Sequence, residues 1–65
     1  MMNAKLINVA LCKLRNNKGM TKQSTLNECY FYVKNVRNNV IIRDCKGIKY
    51  LVNEQSFKTC FRYVK

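Results

Sequence analysis

Sixty-five residues carrying 13 Lys and Arg against 3 Asp and Glu, a net charge of +10, make one domain at most, because a chain this short buries only about 60% of its unfolded surface. A catalytic domain with a regulatory companion is excluded, and residues 1–65 are expected to fold as one small unit. With 48% hydrophobic residues, 11% aromatics and no proline the composition is globular, so the excess charge either keeps the protein in solution or meets a partner of opposite sign.

No stretch approaches the roughly 18 to 20 apolar residues needed to cross a bilayer, and no membrane partner is expected. The opening "MMNAKLINVALCKLRNN" has one lysine before a short apolar run, but Asn8 interrupts that run and Lys13 and Arg15 follow closely. It reads as a mature, cytoplasmic N-terminus. Within it, Lys5 to Leu14 is open between two elements. As a strand, Leu6, Ala10, Cys12 and Leu14 share one face; as a helix, Ile7, Ala10, Leu11 and Leu14 do, and Gly19 then serves as a stop.

The doublets Asn16-Asn17 and Asn38-Asn39 mark turns, since Asn tolerates left-handed backbone and its side chain bonds nearby amides. From Cys29 onward the runs "CYFYVKNV", "VIIRD", "IKYLV" and "CFRYVK" are rich in β-branched and aromatic residues and bounded by turn chemistry, which predicts a meander. In the turn between "VIIRD" and "IKYLV", Asp44 suits the first position, with a carboxylate that accepts backbone bonds, and Gly47 suits a position of positive φ. Ile42, Ile48, Tyr50 and Val52 are expected to point inward, with Arg43, Lys49 and Leu51 on the other face. "NEQSF" fits a single helical turn that drops Phe57 into the core, and its place before the last strand suggests a closing barrel.

From about Cys12 to Phe57 the motifs "CKLRNNKG", "STLNECYFYV", "VIIRDCKGIKYLV" and "EQSF", in this order and spacing, make the chain resemble small phage and bacterial proteins with Src-homology-3-like barrels. The resemblance covers about two thirds of the protein. It implies a mainly β, five-stranded barrel with a short helical turn before the last strand; the alternative is an N-terminal helix packed on a three- to four-stranded antiparallel sheet. Where that pattern has glycine, this chain has Asn27, the next most tolerant residue for left-handed geometry. Where many relatives are acidic, it carries Arg37, Arg43, Lys46 and Lys49. It lacks the tryptophan and acidic loop of eukaryotic proline-peptide binders.

The four cysteines, Cys12, Cys29, Cys45 and Cys60, are widely spaced and no histidine is present. Structural zinc sites bring ligands in close pairs, so no metal or other cofactor is expected. The thiols are expected to be reduced and mostly buried. The only acids are Glu28, Asp44 and Glu54. No acid and base pair can be assembled, and Cys45 at the turn is the one candidate nucleophile. A binding protein is therefore expected rather than an enzyme.

The expected contacts are Arg37, Arg43, Lys46, Lys49 and Arg62, tracking phosphates or an acidic surface, with Tyr32 and Tyr63 as stacking residues; the aromatics equally serve to fill a small core. Nucleic acid or a nucleoprotein is the first expected partner. The second is an acidic host protein, which a phage-type inhibitor or adaptor would engage in transcription, replication, anti-CRISPR or anti-restriction roles. A sheet edge also offers a surface to a second copy.

Overall fold

The computed structural model describes residues 4–64. Among the described residues seven strands and one helix follow one another: β1 (Lys5–Asn8), β2 (Lys13–Arg15), β3 (Thr21–Gln23), β4 (Cys29–Val36), β5 (Asn39–Arg43), β6 (Lys49–Asn53), α1 (Glu54–Cys60) and β7 (Phe61–Tyr63). They form one antiparallel sheet in the order β3-β2-β6-β5-β4-β1-β7. The mainly β expectation holds, but the closed five-stranded barrel does not. The sheet has seven strands, and its edges β3 and β7 do not pair with each other.

The extra strands come from the N-terminal third. Lys5 to Leu14 is neither one strand nor a helix; it divides into β1 and β2, and the alternative with an N-terminal helix is thereby overturned. The strand-face reading nevertheless holds across the break, since Leu6 and Leu14 are fully buried and Ala10 and Cys12 pack against the same cluster. Gly19 is no helix stop. It sits at φ +81° in the β2–β3 turn, where the Asn16 side chain accepts from the amides of Lys18 at 2.9 Å and Met20 at 3.0 Å.

The meander β4–β5–β6 forms where the alternating runs lie. In the turn after β5, Asp44 Oδ1 accepts from the amides of Lys46 and Ile48, both at 2.9 Å, and Gly47 has φ +88°. Asn27 holds φ +67° ahead of β4, as its position implies, while Arg37 holds φ +56° in the β4–β5 turn. Ile42, Tyr50 and Val52 point inward, but Ile48 is 47% exposed. It belongs to the turn rather than to β6, and so escapes the strand's alternation.

The helical turn extends to the seven residues of α1, capped by Asn53, whose side chain accepts from the Gln55 amide at 2.8 Å. Its C-terminal end, Cys60, replaces the expected start of the last strand, and Lys65 of that run lies outside the described residues. Phe57 enters the core beside Phe61, ring centroids 5.7 Å apart, and Tyr30 meets Phe61 edge-on at 5.4 Å. Around these rings pack Leu6, Leu14, Val40, Ile42 and Val52, all essentially solvent-free, each side chain contributing about 1.5–3 kcal/mol by burial. Only Cys60 among the four thiols is buried; Cys12 and Cys29 are half-buried and Cys45 is exposed.

Candidate functional site

A pleated sheet sends alternate side chains to opposite faces, and here one face covers the core while the other faces outward. Cross-strand register shows what the outer face carries. One row runs Lys5, Phe31, Arg43, Lys49 across β1, β4, β5 and β6. The next runs Lys34, Ile41, Leu51, Arg15 across β4, β5, β6 and β2. The second row has an apolar centre, Ile41 and Leu51, with cationic flanks, the first sets Phe31 among three cations, and Arg62 extends the surface through its register with Ile7 on β1.

The half-buried apolar centre consists of Phe31, Ile41 and Leu51. The Arg43 guanidinium lies 4.2 Å from the Phe31 ring centroid and donates to the Asp44 carbonyl at 3.2 Å. Those two contacts hold a planar cation, itself half-buried, on an aromatic base.

The electrostatics of this face are one-sided. None of the seven strands contains Asp or Glu. Glu54 opens α1, Glu28 precedes β4, and the Asp44 carboxylate is enclosed in the β5–β6 turn, with Oδ2 accepting from the Tyr50 hydroxyl at 3.2 Å. Lys22 lies on the inner side of the β2–β3 hairpin, 5.2 Å from the Tyr50 ring centroid. Burial, the largest single influence, lowers its pKa, but the Tyr50 hydroxyl together with the charges of Tyr30 and Glu28 outweighs it and the net direction is upward.

The residues expected from sequence divide among four places. Arg43 and Lys49 are direct register partners on the outer face, and Arg62 shares that face. Lys46 sits at the exposed tip of the β5–β6 turn and Arg37 at the turn that begins β5, the opposite end of the strand. Tyr32 and Tyr63 do come together, but elsewhere. With Phe57 and Lys58 they line a depression of about 390 Å³ beside α1, and the Tyr32 hydroxyl donates to Asn35 at 2.7 Å. The basic surface and the tyrosines are thus on different sides of the sheet.

Lys5, Arg15 and Lys34 belong to the outer face and were not singled out by sequence. Only register joins them to Arg43. A bulge between Tyr32 and Lys34 adds one residue to β4, so Phe31 and Lys34 share a face that simple alternation would deny them. No family model, curated protein or solved structure matches the chain. Among the described residues no helix is long and apolar enough to cross a membrane.

Proposed function

We propose that this protein is a non-enzymatic, phage-type accessory that binds nucleic acid through the outer face of its sheet, contacting the phosphate backbone rather than reading sequence. The observation that carries the reading is the pair of register rows that set Lys5, Arg15, Lys34, Arg43 and Lys49 around an apolar centre on strands free of acids. Exposed cations at strand spacing exchange condensed counterions for phosphates, giving affinity without base specificity.

The test is a binding titration over a range of salt. Lys34→Ala combined with Lys49→Ala should make the log-log salt slope shallower by about 1.4 on single strands and about 1.8 on duplex. Lys18→Ala combined with Lys58→Ala, off the face, should change it far less. Equal effects of the two pairs would refute a localised interface. Affinity indifferent to salt, with a stoichiometric protein retained from nuclease-treated lysate, would move the function to the inhibitor or adaptor.

A further inference from the structure

Strands β2 and β6 are paired through a single register position, Arg15 opposite Leu51. On either side of that pair the strands diverge, and each divergence leaves a hollow. One, of about 330 Å³, is lined by Lys13, Thr21, Asn39 and Asn53 together with Arg15 and Leu51. The other, of about 290 Å³, is lined by Asn17, Ile41 and Lys49 together with the same Arg15 and Leu51. Arg15 is therefore a ridge between two neighbouring hollows, each with an apolar floor, at least one amide and its own lysine.

This combination suits a particular class of ligand. The floor of Leu51 and Ile41 takes a flat apolar surface, Asn39 and Asn17 offer both a donor and an acceptor, and the lysines and Arg15 take anions. We infer that the two hollows hold unpaired bases of a single-stranded nucleic acid, with Arg15 against the phosphate backbone between them. The inference rests on the nucleic-acid reading above and narrows it to one class of substrate. Charge complementarity comes from the acid-free strands around both hollows.

Access favours a single strand over a duplex. The hollows lie on either side of the Arg15–Leu51 pair, one toward Asn53 and the other toward Lys49. A duplex keeps its bases paired and stacked inside the helix, whereas a single strand can splay unpaired bases outward to enter both hollows.

The experiment is fluorescence anisotropy of the full chain with three labelled probes of about twelve units, within the range of site sizes for such surfaces. The probes are oligothymidylate, an abasic phosphodiester chain of the same length, and a duplex. The floors are aliphatic, so each base contributes less than the roughly fivefold or more of an aromatic platform, and losing two should weaken the abasic chain several-fold, up to about thirtyfold, relative to oligothymidylate at one salt concentration. Arg15→Ala, an exposed change, should weaken oligothymidylate binding. Equal affinity for the abasic chain, or duplex bound as tightly as oligothymidylate, overturns the base-holding hollows while leaving the backbone interface standing. Binding to none of the probes overturns both readings.

Discussion

Replacing Asp44 with alanine should remove the most heavily used side chain of the β5–β6 turn. Its Oδ1 accepts from the amides of Lys46 and Ile48, and its Oδ2 from the hydroxyl of Tyr50. The residue is 7% exposed and Tyr50 is 5% exposed, so water replaces these contacts poorly at the tyrosine and better at the two turn amides. A net loss of about 1 kcal/mol for each charge-assisted backbone bond and about 1 kcal/mol or more for the stranded hydroxyl gives about 3 kcal/mol. At the usual density of about 0.05–0.15 kcal/mol per residue a chain of this length holds about 3–10 kcal/mol in all. One substitution would thus remove a third or more of the stability. Urea unfolding followed by circular dichroism would measure it, with a melting temperature lower by about 12–24 °C as the thermal counterpart. Asp44→Asn keeps the Oδ1 acceptor and should lose only about 1 kcal/mol. A loss below about 0.5 kcal/mol for Asp44→Ala, the level of an ordinary surface change, would refute the turn's dependence on this carboxylate.

Two further outcomes follow from the backbone and the core. Gly47→Val should destabilise by about 1–2 kcal/mol in the same urea assay, because φ +88° is strained for a β-branched residue; a Cβ there meets nothing within 4 Å, so the cost is in the backbone alone. Tyr30→Phe should be neutral or stabilising by up to about 1 kcal/mol at pH 7, since the buried Tyr30 hydroxyl forms no hydrogen bond of good geometry, only a weak approach to the Thr25 backbone, and phenylalanine removes a desolvated group rather than a strong contact. Burial pushes the Tyr30 pKa up, with the Thr25 backbone opposing. Below the unfolded value of about 10 both states stay protonated and its contribution is fully present; as pH rises from there through the higher folded pKa, the unfolded state sheds its proton first and stability is lost. Urea midpoints at pH 9 and pH 11 should therefore fall more for the native protein than for Tyr30→Phe, and equal falls would refute that role.

The meander was legible because its apolar residues alternate and its turns use Asp44, Gly47 and Asn27 for what their side chains and backbones do best. Asn27 and Gly47 hold the left-handed backbone their types imply. By contrast β3, Thr21–Gln23, is exposed at every position. It is a strand only because β2 supplies its partner, and no hydrophobic period could announce it. Ile48 was assigned inward by counting through a turn, where the count does not apply.

At the interface, the legible part was Arg43 and Lys49, which share a parity on adjacent strands of one hairpin. Arg15, Lys34 and Lys5 are far from them in sequence and reach the same rows through sheet order, and for Lys34 through a bulge. Tyr32 and Tyr63 were expected to stack beside the cations, but they line the depression beside α1 instead. Tyr32 pairs in register with Ile42 and Tyr63 with Leu6, both core-facing positions, which turns the tyrosines toward α1.

The most direct test of an outer-face nucleic-acid interface is amide chemical-shift mapping of the folded protein on titration with a single-stranded oligonucleotide. The expected result is a set of shifts centred on Arg15, Phe31, Ile41, Arg43, Lys49 and Leu51, with α1 and the depression beside Tyr32 and Tyr63 little changed. Shifts centred on α1 and those two tyrosines, with the outer rows silent, would contradict it.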